Sequence, residues 1–236
     1  MPGPVFHFKQ FRVRQDRCAL KVGTDGLLLG GWTDWSGVER VLDIGTGTGV
    51  LALIAAQRAP AAQVDAVEVD PESAAQASEN VAASPWPDRV RVHAMDVRRL
   101  RSAEPFDVVV CNPPYYAGEA ASPDERRNLA RHHAGLTFAE LLEVAGRVLA
   151  PEGRFSVVLP LGREAEFLGL AAEYDLHPHR RCRVRYVPHR PPKRVLLELR
   201  RRHGPVQEQE ITVEGDGPEG YDPAYQSLLS DLMTKF

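Results

Sequence analysis

Asp43-Ile44-Gly45-Thr46-Gly47-Thr48-Gly49 is the stretch on which the fold turns. A short apolar run at 41–44 leads into it and a helical apolar pattern at 50–58 follows, so the glycines sit at a strand-to-helix turn. Glycines there let the backbone turn tightly and approach a ligand, and the helix beyond offers free N–H groups and its positive dipole end. Dinucleotide-binding turns space their glycines GxGxxG. Here the spacing is GxGxG, with an acidic residue two positions before the first glycine, which disfavours a nicotinamide oxidoreductase.

Outward from the turn the same alternation repeats. Strand patterns at 64–69, 90–94, 108–111 and 154–159, interleaved with helical patterns at 71–83 and 138–149, predict a doubly wound α/β fold with a mostly parallel, seven-stranded sheet. Pro71 suits a first helical turn, and Thr137 with Glu140 makes a capping-box pattern. Strands at 182–187 and 194–201 have no long helical pattern between them and predict an antiparallel hairpin at the sheet edge. Residues 1–39 read as a basic-aromatic extension with a first helix at 24–35, residues 40–202 as the core, and residues 203–236 as a C-terminal extension packed on it. That last extension holds a Gly-rich loop at 215–220 and a helix at 223–233, and one structural domain is expected overall.

The 236 residues, 43% hydrophobic and 26% charged, suit such a domain, and a net charge of -3 argues against indiscriminate coating of nucleic acid. Cys18, Cys111 and Cys182 lie far apart without a CxxC pair, so neither a disulfide framework nor a metal site is indicated. Residues 1–11 lack an apolar signal core and no apolar run is long enough to span a bilayer. A cytoplasmic monomer is expected.

The glycine turn resembles motif I of class I S-adenosylmethionine-dependent methyltransferases, which have a Rossmann-like fold. That resemblance implies that Asp43 faces the amino group of the cofactor's methionine moiety, with Gly45, Thr46, Gly47 and Gly49 forming the loop. Glu68, about 20 residues on at a strand end, is placed to accept bonds from the ribose hydroxyls. Asp96 would accept from the cofactor's adenine amino group and Val97 would contact the ring; Asp70 is the weaker candidate.

Strand four ends in Asn112-Pro113-Pro114-Tyr115, the most specific motif in the chain. The exocyclic nitrogen of adenine is a poor nucleophile because its lone pair is delocalised into the ring. If the Asn112 side-chain oxygen and the Pro113 carbonyl each accept one N–H, that nitrogen becomes more pyramidal and more nucleophilic. The prolines fix φ and leave no competing donors, and Tyr115 offers a stacking face for a flipped base. Catalysis then needs only alignment and electrostatic positioning, with Asn112, Pro113 and Tyr115 as its residues. His132 and His133 have no evident partner and are not cast as bases.

With these motifs the chain resembles the bacterial tRNA1(Val) adenine-N6 methyltransferase family. The likeness lies in Phe8-Lys9-Gln10-Phe11, the run 15–26, the glycine turn, Ala66-Val67-Glu68-Val69-Asp70, 76–80, Ser84-Pro85-Trp86, Asn112-Pro113-Pro114-Tyr115, Arg131-His132 and Pro192-Lys193-Arg194, and in the final segment 221–236. It implies methylation of N6 of adenine 37 in a valine tRNA, and it adds Thr24, Asp25 and Asn112 to the cofactor surroundings. Leu20 and Leu27 are conservative departures, and Leu232-Met233 stands where the family's ending carries a tyrosine.

Charge distribution favours an RNA partner. Residues 180–202 carry nine arginines and a lysine with Glu198 as their only acid, and Lys9, Arg12, Arg14, Arg17 and Lys21 interleave with Phe6, Phe8 and Phe11. Lys9, Arg12, Arg14, Arg183, Arg185, Lys193 and Arg194 are the expected RNA contacts; the competing reading is that basic residues keep an edge strand soluble. Rival functions are glutamine methylation in a protein substrate, ribosomal RNA or DNA amino methylation on the same fold, and a catalytically silent RNA-binding protein.

Overall fold

The structure is a computed structural model that describes residues 5–18, 21–113, 135–216 and 218–236. The N-terminal segment forms a small antiparallel hairpin, β1 (Val5–His7) with β2 (Arg12–Arg14), followed by α1 (Thr24–Trp32). Then β3 (Arg40–Ile44), α2 (Val50–Arg58), β4 (Gln63–Glu68), α3 (Pro71–Ala82), β5 (Val90–Ala94) and β6 (Phe106–Cys111) build the parallel half of a large sheet. Beyond lie α4 (Phe138–Val148), β7 (Leu149–Pro160), α5 (Glu164–Glu173), β8 (His177–Arg185), β9 (Arg194–Arg200), β10 (Gln207–Thr212) and α6 (Pro223–Leu229).

The sheet has eight strands in the order β10-β8-β9-β7-β6-β3-β4-β5. Its doubly wound, mostly parallel character bears out the sequence reading, with β3 near the middle and the chain winding outward on either side. Two features of that reading need correction: the sheet has eight strands rather than seven, and the hairpin is not its edge. The hairpin of β8 and β9 is antiparallel, but β9 inserts between β7 and β8, and the edge beyond β8 is covered by β10, parallel to it. Every apolar position of β10 but Ile211 is replaced by Gln, Glu or Thr, so periodicity gave no strand signal.

Core strands are apolar at consecutive positions because both faces are covered. Val41, Val108, Val110, Val158 and Leu196 face a layer containing α1, α2 and α6, while Leu42, Ile44, Val109, Phe155, Val157 and Leu197 face α4 and α5. The capping box at the start of α4 is formed: Thr137 Oγ1 accepts from Glu140 N, and Glu140 accepts from Thr137 N at 2.9 Å. Such a cap is worth about 1 kcal/mol. Helix α5 goes unmarked in the sequence because only Phe167 and Ala171 on it are buried.

Both extensions are bound into this core. Phe8 stacks on Phe11 with centroids 4.2 Å apart, Phe11 meets Trp86 edge-on, and Lys9 donates from Nζ to the carbonyls of Ser230 (2.6 Å) and Phe236 (2.7 Å). Gln76 and Asn80, buried on α3, hold the segment after β2. Gln76 Oε1 accepts from Arg17 N and Cys18 N, and Asn80 exchanges bonds with the backbone of Arg14. Among the described residues no helix is long and apolar enough to cross a membrane.

Candidate active site

The carboxyl ends of four parallel strands stand side by side. Ile44 is level with Val67 and Cys111, and Glu68 with Ala94, so the turns after β3, β4, β5 and β6 share one edge. Gly45, Gly47 and Gly49 all have positive φ (71°, 54° and 83°), a conformation that a side chain would strain. A Cβ on Gly45 or Gly47 would meet nothing within 4 Å, so backbone conformation rather than crowding demands glycine there.

Asp43 lies beneath this turn, fully buried. Its Oδ2 accepts from Thr46 Oγ1 (2.5 Å) and from Ala52 N (3.1 Å) in the first turn of α2, while Oδ1 has no hydrogen-bond partner among the described residues. Burial pushes its pKa up to about 7, against the pull of those two donors. Asp43 thus braces the loop from below. Glu68 spans the loop from the side: its Oε2 accepts from Gly47 N (2.9 Å) and its Oε1 from Asp70 N (3.0 Å). Asp70 serves as the N-cap of α3, accepting from Ser73 N, which accounts for its weaker claim on a ligand. Between them Val69 is a large hydrophobic side chain left exposed, 54% accessible. Sequence reasoning passed over it; an apolar residue flanked by two acids at a strand end was the available signal. A carboxylate pre-set by two backbone donors, a glycine turn with open space above it and an exposed apolar surface suit a ligand carrying a diol and a flat ring.

Asp96 caps the short 3-10 turn Val97–Arg99, accepting from Arg98 N at 2.9 Å. Its two oxygens also take the Arg98 guanidinium side-on, and this pairing lowers its pKa. Arg98 reaches on to Glu140 at 2.8 Å, tying the turn to the cap of α4. Val97 is buried.

Asn112 follows β6 at the same edge and Pro113 behind it is buried; Pro114, Tyr115, Arg131, His132 and His133 lie outside the described residues. The start of α1 abuts Asn112: a Cβ on Gly26 would come within 3.7 Å of Asn112 Nδ2. Thr24 and Asp25, the first two residues of α1, therefore stand beside the end of β6. Asp25 accepts from the Tyr186 hydroxyl and from Arg194 Nε (2.9 Å).

The basic clusters divide into paired and unpaired. Arg183 and Arg185 meet Glu208 (3.4 Å) and Glu210 (2.7 Å) of β10, Arg180 and Arg200 flank the buried Glu198, and Lys9 is held by C-terminal carbonyls. Arg14 lies 3.8 Å from Asp16 and is largely exposed. Arg12 and Lys193 are exposed and form no ion pair among the described residues. A groove of about 1000 Å³ opens at the amino ends of β3, β4 and β5, lined by residues such as Arg40, Asp65 and Arg89. Its mixed charges and its distance from the glycine turn separate it from this site. Among the described residues no cluster of His, Cys, Asp and Glu is arranged to hold a metal ion.

The methyltransferase small domain family matches residues 27–172. A tRNA1(Val) (adenine(37)-N6)-methyltransferase of Tolumonas auensis is 43% identical over 236 residues, covering 100% of this chain and 99% of its own. One of Phocaeicola vulgatus is 47% identical over 200 residues, covering 85% of each chain, and one of Trichodesmium erythraeum is 40% identical over 240 residues, covering both chains entirely. Among solved structures, a predicted O-methyltransferase from Agrobacterium tumefaciens superposes with TM-score 0.67 at 19% identity, over 88% of this chain and 96% of that one. An RNA methyltransferase, so described as putative in its name, from Pyrococcus horikoshii gives TM-score 0.53 at 21% identity, over 74% and 80%; these two speak to the fold alone. The chain belongs to the methyltransferase small domain family and, within it, to the tRNA1(Val) (adenine(37)-N6)-methyltransferases.

Proposed function

We propose that this chain transfers a methyl group from S-adenosylmethionine to N6 of adenine 37 in tRNA1(Val), as the names of its relatives state for them. The observation that carries the reading is Asn112 at the end of β6, beside the glycine turn and against the first turn of α1. S-adenosylmethionine, when bound, supplies an already activated methyl group, so no nucleophilic side chain or metal is required of the protein. Glu68 suits its ribose diol, Val69 its adenine face, and Gly45, Thr46, Gly47 and Gly49 the turn above which it would lie. Asp43 supports that turn from beneath. The Asp96 carboxylate is engaged by Arg98, so its share in binding the adenine amino group is the smaller one.

At the acceptor, the Asn112 side-chain oxygen and the Pro113 carbonyl would take the two N–H bonds of the target amino group, orienting its nitrogen and raising its nucleophilicity. Tyr115 would stack on the base. For the RNA backbone, Arg12, Arg14 and Lys193 are the favoured contacts, because Lys9, Arg183, Arg185 and Arg194 are already engaged within the protein. The work belongs in the cytoplasm, with the tRNA pool.

The test is to incubate the protein with methyl-labelled cofactor and, separately, unmodified tRNA, DNA and a release factor, with Asn112→Ala in parallel. N6-methyladenosine in the valine tRNA is expected, reduced at least about a hundredfold in the variant. Label in glutamine or DNA instead would overturn the substrate while leaving the chemistry of an amino acceptor.

A further inference from the structure

Asp25 is gripped from two strands that lie far from it in sequence. Tyr186, just past β8, donates its hydroxyl to Oδ1, and Arg194, the first residue of β9, donates Nε to Oδ2 at 2.9 Å. The ion pair is sheltered, with the Asp25 side chain 17% and that of Arg194 27% exposed. The turn that bears these two donors is itself fixed: Lys193 N donates to Val184 O (2.9 Å), and Leu161 N, at the end of β7, to Lys193 O (3.0 Å). Burial and the neighbouring Asp25 charge raise the pKa of Tyr186, so it remains a donor throughout the physiological range. One residue further along α1, Gly26 backs onto the Asn112 amide. A Cβ at this position would meet that amide at 3.7 Å, an ordinary contact distance, so helix and amide are direct neighbours and the placement of the α1 start bears on the placement of Asn112.

We propose that Tyr186 and Arg194 are positioning residues: by holding Asp25 they fix the first turn of α1 against Asn112, joining the β8–β9 end of the sheet to the reacting edge. The assignment differs from a phosphate contact for Arg194, because a guanidinium committed to a sheltered carboxylate is a poor partner for a second anion. Its catalytic readout rests on the tRNA-methylation reading above; its binding readout rests only on the cofactor named in that reading.

The experiment is a double-mutant cycle on the full chain: Tyr186→Phe, Arg194→Gln and Asp25→Asn, with each of the first two also combined with the third. S-adenosylmethionine affinity is measured by calorimetry, kcat and KM for tRNA by label transfer, and melting temperature confirms that each variant folds. The expected result is a loss of about tenfold in cofactor affinity or kcat for Tyr186→Phe and Arg194→Gln, with tRNA KM little changed and no further loss when either is added to Asp25→Asn. Losses that simply add would overturn the proposal. So would an Arg194→Gln variant that raises tRNA KM alone, which would return that arginine to the RNA backbone. Should Arg194→Gln not fold, Arg194→Lys replaces it; it keeps the charge without the Nε donor and is expected to show the same loss. A parent protein that labels no tRNA, yet shows the non-additive cycle in cofactor affinity, would sink the functional reading and leave the positioning role standing.

Discussion

A buried carboxylate under a glycine turn has a cost that depends on pH, and Asp43 makes it measurable. Its folded pKa of about 7 lies above the ordinary aspartate value. In the unfolded chain it ionises near pH 4, while in the folded chain it holds its proton until about 7, so its contribution is fully present below pH 4 and is lost as pH rises through 7. The difference amounts to about 4 kcal/mol at most. Asp43→Asn keeps one oxygen for Thr46 and Ala52 and cannot ionise. The melting temperature of the variant minus that of the parent should therefore climb between pH 4 and 7, by up to roughly 10 °C. A difference that stays flat over that interval would mean that Asp43 is ionised at all these pH values. At this scale much was legible in the sequence: the glycine turn, Glu68, Thr137 with Glu140, and Asn112 are where the spacing put them. What the sequence hid was orientation. That Asp43 points down rather than into the space above the turn, and that Asp96 is taken up by Arg98 two residues on, depend on side-chain contacts that spacing does not encode.

Strand β10 shows the same limit one level up. The arginines of β8 and the acids of β10 lie more than 20 residues apart in sequence, and only the parallel register of Glu208 with Arg181 and Glu210 with Arg183 brings the charges together. A linear count of residues 180–202 sees a basic stripe. The folded sheet has a largely neutral one. Exposed pairs of this kind contribute no more than about 1 kcal/mol each, so Glu208→Gln with Glu210→Gln should lower the melting temperature only slightly. The larger consequence is electrostatic. With Arg183 and Arg185 released, while Arg181 stays paired with Glu164, non-specific RNA binding should strengthen at low salt, and the slope of log affinity against log salt should steepen by up to about 2. Binding titrations at several salt concentrations would show it, and an unchanged slope would mean that β8 lies outside any RNA footprint.

Across the whole molecule, the segments before and after the central strands behave as parts of one core rather than as appendages. Val213, Tyr225, Leu229, Leu232 and Met233 are buried in the same cluster as Phe8, Trp32 and Val41. Polar ties reinforce this: Trp32 Nε1 donates to Gln209 (2.6 Å), and Arg58 from α2 donates to the carbonyls of Gly31 (2.5 Å) and Leu228 (2.7 Å) while pairing with Asp231. Helix α1 packs so closely on α6 that a Cβ on Gly31 would come within 2.6 Å of Leu229. The same helix carries Asp25 and Gly26 at its other end, so the C-terminal segment buttresses the element that meets Asn112. A chain ending at residue 202 would forfeit the burial of those five side chains, about 10 kcal/mol at some 2 kcal/mol each. That loss is comparable with the entire stability of a domain this size. Truncation should therefore abolish cooperative thermal unfolding, with loss of near-ultraviolet circular dichroism and exposure of dye-binding apolar surface at 25 °C. If the truncated chain instead melts cooperatively within a few degrees of the parent, residues 40–202 form an autonomous core and the extensions are additions to it.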